Sequence, residues 1–262
     1  MNALTLSHLL QSLGGGESVT AFFLVLARIT PLFILAPLFS SKQIPAQVKG
    51  IAAVGLSIGL AGVASHGQQI PTDALQIATL MVEQVLVGTL LAFTVGALMA
   101  AVQTAGGLAD IVSGFSFGAT VDPINGNQGG TFSELYSLIG VMLFVAIGGD
   151  AWVLHGIART FDLVPLTAAP HLGPMVGAAE ASVSTLFVSS IEVAAPVILA
   201  LMVTDVAFGM VSKVVPQMNV FSVAFPLKVG VAILVVAASL PFLGGWISDQ
   251  MYGSVATALH AF

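Results

Sequence analysis

Six charged residues lie inside or close to the long apolar runs of this chain, where an unpaired charge is costly. They are Arg28, Glu83, Asp150, Glu192, Asp205 and Lys228. A charge at the centre of a membrane helix costs about 2.5–3.5 kcal/mol, so six that face lipid would cost on the order of 15–20 kcal/mol. Two kinds of chemistry are open to them. Carboxylates relay protons, or opposite charges pair within the chain or with a neighbouring subunit, and pairing is the commoner arrangement.

No other pattern of residues indicates catalysis or a bound cofactor. The five histidines show no metal-ligand spacing, and the chain has no cysteine that could act as a ligand or nucleophile. It contains no phosphate-binding loop, nucleophile elbow or zinc-protease motif. The net charge is −6 without a basic tract, which argues against nucleic acid as a partner. We therefore predict a protein that is not an enzyme and that needs no metal or cofactor.

The composition places these charges on membrane helices. Of the 262 residues, 57% are hydrophobic and 7% are charged, whereas soluble proteins carry about 25% charged residues. The apolar runs are continuous and do not alternate, which favours helices over a β-barrel. Residues 1–18 lack the basic start of a signal peptide, so we expect the first run to stay in the mature protein. We predict six apolar segments, at 19–39, 50–64, 74–102, 132–157, 181–211 and 219–247.

Three of these segments carry further signals. The second is too short for an ordinary span, which needs about 20 apolar residues. Its Gly55 and Gly59 form a GxxxG pattern that predicts an interface with a neighbouring helix, although glycine is common in membrane helices generally. The fifth and sixth segments are expected to kink at their internal prolines. Lys42 and Lys49 favour an orientation in which the loop 40–49 is cytoplasmic and the N-terminus lies outside.

The segment 103–131 is predicted to be a loop of unusual composition. It is rich in glycine, holds two phenylalanines and turn signals, and contains no lysine or arginine. Irregular backbone at membrane depth is tolerated where it lines a cavity or is buried in protein. The loop is therefore either a movable plug sealed by its phenylalanines or a surface linker between helix pairs, and the missing basic residues favour the plug. The plug residues would be Gly106, Gly107, Gly114, Phe115, Phe117, Gly118, Asp122 and Pro123.

Three stretches, taken in order, resemble the FliR/SctT family of type III secretion export-gate proteins. They are LARITPLFILAPLFSSKQIPAQVKG (26–50), GFSFGATVDP (114–123) and VPQMNVFSVAFPLKVG (215–230). The likeness covers about residues 20 to 250, and the wording around Asp122 and Pro123 is closer to the flagellar branch than to the injectisome branch.

The resemblance implies an all-α fold of kinked, proline-interrupted hairpins in a helical, hetero-oligomeric pore. Such a subunit would join FliP-type and FliQ-type subunits in the bacterial inner membrane, at the flagellar basal body. Unfolded flagellar proteins would pass through the pore, with FlhB-type and FlhA-type components as further partners and membrane lipid around the assembly. The helices would lie largely outside the bilayer and contact protein more than lipid.

The resemblance also implies a division of the chain. Residues 1–180 would be FliP-like and include the plug at 106–130, and residues 181–250 would form a FliQ-like hairpin within a single export-gate domain. Contacts with other subunits are expected at Lys42, Lys49, Gly55, Gly59, Glu83, Asp205, Pro216, Gln217, Asn219, Pro226 and Lys228.

Two functions of other classes stay open from the residues alone. Intramembrane carboxylates and proline-interrupted segments also suit a small secondary transporter with broken helices. A structural membrane scaffold without a pore is the third possibility.

Overall fold

A computed structural model describes residues 16–40, 44–71, 73–116, 130–217 and 219–262. The regular elements of this described part are helices, without a strand. They are α1 (Gly16–Leu35), α2 (Ala46–Ala64), α3 (Ala74–Ser113), α4 (Thr131–Ala146), α5 (Gly149–Leu163), α6 (Leu172–Val214) and α7 (Val220–His260).

Five of these helices are long and apolar enough to cross a membrane, or six if the bent pair α4 and α5 counts as one span. The chain is thus an all-helical membrane protein, as the composition predicted. The expectation that the second segment is too short was wrong. Helix α2 has 19 residues because it begins at Ala46, directly after Pro45, and includes Lys49 near its start. Proline suits the start of a helix, since the amide it lacks has no partner there.

The prediction of one helical segment at 132–157 was also wrong, because this part of the chain forms two helices, α4 and α5. The chain breaks after α4 at Gly148, whose φ of 72° lies in the left-handed region, and α5 begins at Gly149. The amides of Ile147 and Gly148 close the last turn of α4 on Leu143 and Val145. A glycine at this position ends a helix without the strain that a side chain would bring.

The packing divides the chain into two compact units that interleave in sequence. The first unit comprises the described residues up to Gly96, with Gly149–Ser182 and Tyr252–Phe262. In it, α2 packs along α1 through its buried stripe Ala53, Ser57 and Ala64. The end of the chain closes this unit, because Ala261 packs with three buried residues of α3 and α6, namely Leu90, Met175 and Ala178.

The second unit comprises Ala97–Gly148 and Val183–Met251. Its core joins α4 and the second part of α3 to an antiparallel hairpin of α6 and α7. The buried members include Val102, Phe132, Tyr136, Val197, Leu201, Val236 and Leu243. Helix α6 continues through Pro196, and α7 through Pro226 and Pro241, although each proline removes one backbone donor from its helix.

Candidate functional site

Arg28 is fully buried, and its guanidinium joins three helices of the first unit. Its Nε lies 2.7 Å from Oε1 of Gln84 on α3, and Nη2 donates to the same oxygen. Nη1 donates to the carbonyl of Thr160 at 2.8 Å, and Nη2 to the carbonyl of Val164 at 2.8 Å. The ring of Phe161 lies against the guanidinium, with its centroid 4.4 Å from Cζ.

These partners are amide and carbonyl groups rather than a carboxylate. The carbonyls of Thr160 and Val164 lie at the C-terminal end of α5, where the helix dipole favours a cation. Gln84 completes the cluster because its Nε2 donates to the carbonyl of Leu166 at 3.1 Å. Oriented dipoles of carbonyl and amide groups therefore compensate the buried charge of Arg28. Within the described residues, Arg28 forms no ion pair.

Arg28 also marks the closest approach of α1 and α3. A Cβ added at Gly88 would overlap the backbone carbonyl of Arg28, and a Cβ at Gly96 would come within 2.8 Å of the carbonyl oxygen of Leu35. Small residues at these two positions let the helix backbones touch. The approach of the two helices brings the amide of Gln84 within reach of the guanidinium.

Lys228 of α7 pairs with Asp205 of α6, within the hairpin of the second unit. Their side chains are 17% and 48% exposed, so the pair lies at the edge of the packed surface. Further along the hairpin, the indole of Trp246 donates to Oε2 of Glu192 at 3.4 Å. The prediction that opposite charges pair is confirmed for Lys228 and Asp205, and their contact with another subunit remains a prediction.

Glu83 lies one residue before Gln84 on α3, but its side chain points away from the Arg28 cluster. It is partly exposed and lines an open groove of the first unit with Gln69, Thr79 and Thr167. No ion pair to Glu83 occurs in the part of the chain that the structure describes. Both predicted roles of Glu83, proton relay and contact with a neighbouring subunit, stay predictions.

The predicted loop at 103–131 begins later than expected, because α3 continues to Ser113. Gly106 and Gly107 are therefore helical. The helix accepts glycine at 106 because α4 packs there, and a Cβ would overlap the backbone of Phe132. The helix ends where Gly114 takes a φ of 91° and its amide bonds to the carbonyl of Asp110. Phe117, Gly118, Asp122 and Pro123 lie outside the described residues.

Asp110 is a functional candidate that the sequence analysis did not single out. It is 3% exposed, and its Oδ1 and Oδ2 accept the backbone amides of Phe132 and Ser133, both at 2.8 Å. These amides belong to the first turn of α4, which lacks partners of its own and favours an anion. Gly130 leaves room for the carboxylate, since a Cβ there would overlap it. One side chain thus ties the end of α3 to the start of α4.

Phe115 begins the glycine-rich segment and lies in an aromatic cluster of the second unit. Its ring centroid is 5.5 Å from that of Phe132 and 5.5 Å from that of Phe225, with edge-to-face angles of 78° and 60°. Such pairs add about 0.5–1.5 kcal/mol each to the burial of the rings. Phe115 is therefore a packed residue of the second unit, and its predicted sealing role remains a prediction.

The remaining predicted contact residues that the structure describes are exposed or partly exposed. A Cβ at Gly55 or Gly59 would meet no described atom within 4 Å, so the GxxxG stripe faces away from the packed part of the first unit. Lys49 is partly exposed, and Lys42 lies outside the described residues. The other four residues are exposed and lie in the α6–α7 turn or at the start of α7. They are Pro216, Gln217, Asn219 and Pro226.

Fold and site together define a membrane protein in which Arg28 is buried among its own helices, Lys228 pairs with Asp205, and many large apolar side chains are exposed. The family described as bacterial export proteins, family 1, matches residues 19–253, and the chain belongs to this family. The resemblance found in the sequence is thereby confirmed.

Named relatives match along most of the chain. It is 28% identical to the flagellar biosynthetic protein FliR of Escherichia coli strain K12 over 222 residues, 85% of each chain. It is 30% identical to the protein of that name from Bacillus subtilis strain 168 over 232 residues, 85% of this chain and 88% of the relative. It is 24% identical to the surface presentation of antigens protein SpaR of Shigella flexneri over 225 residues, 84% of this chain and 86% of the relative.

Proposed function

We propose that this chain is a core subunit of the flagellar type III secretion export gate in the bacterial inner membrane. With FliP-type and FliQ-type subunits it forms the pore through which unfolded flagellar proteins leave the cell, next to FlhB-type and FlhA-type components. The observation that carries the proposal is the family match over residues 19–253. The flagellar branch is proposed from the wording around Asp122 and Pro123 and from the flagellar relatives at 28% and 30% identity, while other flagellar relatives are, at 24% and 25%, about as similar as SpaR at 24%.

The exposed apolar surface supports a subunit that needs neighbours. In α2, only 11% of the most apolar stretch of 18 residues is buried inside the protein, and the buried share is the same in α7. Helix α6 exposes an apolar stripe that recurs every three or four residues, at Leu199, Val203, Val206, Met210 and Val214. A stripe with this spacing suits a helix that packs against another helix. We assign these faces, with Gly55 and Gly59, to contacts with other subunits.

We further propose that the glycine-rich segment is the plug of the pore. Because α3 extends to Ser113, Gly106 and Gly107 belong to the helix that anchors the plug, and the plug itself begins at Gly114. Two features of the described residues support an anchored plug. Asp110 ties the ends of the flanking helices together, and Phe115 packs on Phe132 and Phe225 at one end of the segment.

The function is tested by complementation in a flagellated host that lacks its own copy of the gene. The intact chain is expected to restore swimming and the export of hook and filament proteins. A chain that restores neither, although it is made and inserted, would contradict the flagellar assignment. If it restored effector secretion in an injectisome mutant instead, the alternative SctT-type function would be correct.

The plug is tested by deletion of residues 117–123, which leaves Asp110, Phe115 and Gly130 in place. We expect the assembled gate to become leaky, so that cells lose membrane potential or fail to grow in high salt. Asp110→Ala, which weakens the anchor while keeping the segment, is the matched comparison. An assembled gate that stays tight after the deletion would contradict the plug assignment without affecting the flagellar one.

A further inference from the structure

An open groove of the first unit, here called the Glu83 groove, lies between three parts of the chain. Its walls are the first three turns of α3, the connection from α2 to α3, and the connection from α5 to α6. The polar lining consists of two amides, two hydroxyls and one carboxylate, which belong to Gln69, Gln76, Thr79, Thr167 and Glu83. Leucine, proline and alanine side chains form the rest of the lining, and the volume is about 520 Å³. The groove therefore offers hydrogen-bond acceptors and one negative charge beside an apolar surface.

Glu83 gives this groove a charge that no described residue neutralises. Among the described residues, no lysine or arginine lines the groove and no ion pair to Glu83 occurs. Arg28 is enclosed in its own cluster, Lys49 lies at the opposite end of α2, and Arg159 is exposed on α5. The carboxylate of Asp73 lies close by and accepts a backbone amide of the first turn of α3 at 3.2 Å. Because a carboxylate on an apolar helix is costly unless it is paired, we expect a cation from outside the described residues at this groove.

The wall formed by the α5–α6 connection is held in place from two sides. Gln84 donates to the carbonyl of Leu166 at 3.1 Å, so this connection is tied to α3. The side-chain oxygen of Gln68 accepts the amide of Thr167 at 3.3 Å and its hydroxyl at 3.4 Å. Gln68 is itself fixed, because its Nε2 donates to the carbonyl of Ala64 at the end of α2 at 2.6 Å. These hydrogen bonds keep the groove in shape before a partner binds, which lowers the ordering cost of binding.

We propose that the Glu83 groove receives a lysine or arginine side chain of a neighbouring subunit. The cationic head pairs with the carboxylate of Glu83, and the amide oxygens of Gln69 and Gln76 accept its remaining donors. Leu75 and Leu80 pack on the aliphatic stem, a contact that a metal ion would not use. The inference rests on the proposed function only in that the chain works in contact with other proteins, and it adds the chemistry by which one of them is recognised.

The first measurement identifies what occupies the groove in the complex. A photoreactive diazirine amino acid replaces Gln76 at the rim of the groove during synthesis, so that the complex assembles with the probe in place. The complex is irradiated in its own membrane, and the cross-linked peptides are identified by mass spectrometry. We expect position 76 to link to a peptide of another subunit that has a lysine or arginine at the linked residue or within one helical turn of it. The same probe at Asp162, on the exposed side of α5, is the matched control and should not yield this peptide.

The second measurement reverses the charge of the groove. Glu83→Lys brings two positive charges together, and like charges across an interface should lower the amount of partner that co-purifies with the chain by about tenfold or more. Asp162→Lys makes the same reversal at an exposed site and should leave this amount unchanged. Replacing the identified basic residue of the partner with glutamate should restore the contact to the Glu83→Lys chain. If Glu83→Lys fails to fold, Glu83→Gln removes the charge but keeps the shape, and it should lower the retained partner several-fold.

Three results would overturn the inference. They are the absence of a link from position 76 in an intact complex, a link to a peptide without a nearby lysine or arginine, and unchanged retention of the partner after the charge is reversed or removed. A link to a basic residue of a protein that is no part of an export apparatus would support the groove but contradict the export function. The failure of the inference and the failure of the proposed function are thereby distinguished.

Discussion

Replacing Arg28 with methionine is expected to destabilise the protein by about 3–5 kcal/mol, the cost of breaking a buried charge cluster by removing one partner. The guanidinium donates to acceptors on three residues: the side-chain oxygen of Gln84, the carbonyl and hydroxyl oxygens of Thr160, and the carbonyl of Val164. Each buried acceptor that loses its donor costs about 1–3 kcal/mol. Methionine offsets part of this loss, because it fills the space without the desolvation of a charge.

The assay is thermal unfolding of the purified protein in detergent, followed by far-ultraviolet circular dichroism. For a chain of this size each kcal/mol shifts the melting temperature by about 2–4 °C, so Arg28→Met should lower it by about 6–20 °C. The melting temperature of Arg28→Lys should fall between those of Arg28→Met and the unchanged protein, because an ammonium cannot reproduce the planar fork that reaches acceptors on three residues. Gln84→Leu combined with Arg28→Met should cost less than the sum of the single changes, since both act on one cluster.

The matched control is Arg159→Met, which makes the same substitution on the exposed face of α5. An exposed replacement of this kind normally changes stability by no more than about 0.5 kcal/mol. If Arg28→Met melted within about 2 °C of this control, the argument that Arg28 ties α1, α3 and α5 together would be refuted.

Three further substitutions, two of them with a matched control, test the packing within each unit. Gly88→Ala should destabilise the chain by about 1–3 kcal/mol or more in denaturant unfolding, because the added Cβ overlaps the Arg28 carbonyl. Its matched control is Gly59→Ala, which should leave the stability unchanged because the position faces open space. Gly59→Ala should instead weaken assembly if the glycine stripe is an interface. Asp110→Ala should cost about 2–3 kcal/mol by the same measurement, since α4 loses its anionic cap, whereas the exposed Asp162→Ala should change little. Lys228→Met should cost no more than about 1 kcal/mol, because its ion pair is partly exposed.

Each of these predictions has an outcome that counts against it. A denaturant-unfolding curve for Gly88→Ala that overlays the Gly59→Ala curve would show that α1 and α3 do not touch as described. If Asp110→Ala and Asp162→Ala were equally stable, the cap on α4 would be absent. A large loss from Lys228→Met would mean that the ion pair is buried, as a contact with another subunit would make it.

The sequence predicted the helices well where their apolar runs are long, and poorly where local backbone geometry decides. The second part of α3 shows why. Glycine density at 106 and 107 indicated a loop, but the packing of α4 against these positions keeps them helical. The break at Gly148 was missed because the apolar run continues on both sides of Gly148-Gly149-Asp150. The Gly148-Gly149 pair, followed by Asp150, is the signal that could have predicted the end of one helix and the start of the next.

The candidate site was predictable in kind but not in its partners. Arg28 was found as a charge that must be turned from lipid, yet its partners are amides and carbonyls that come together only in the tertiary fold. Helical periodicity could have favoured Gln84 over Glu83, because Gln84 falls in step with the buried Leu80, Val87 and Leu91 on α3. The role of Asp110 could not be predicted from the sequence, because its hydrogen-bond partners lie 22 and 23 residues further along the chain.

The central claim is that this chain works as one subunit of an export gate, and native mass spectrometry tests it most directly. The tagged chain is extracted gently from its own membrane and measured with the proteins that remain bound. We predict a large complex that contains FliP-type and FliQ-type membrane proteins together with the chain. A monomer or homodimer alone under these mild conditions would contradict the claim.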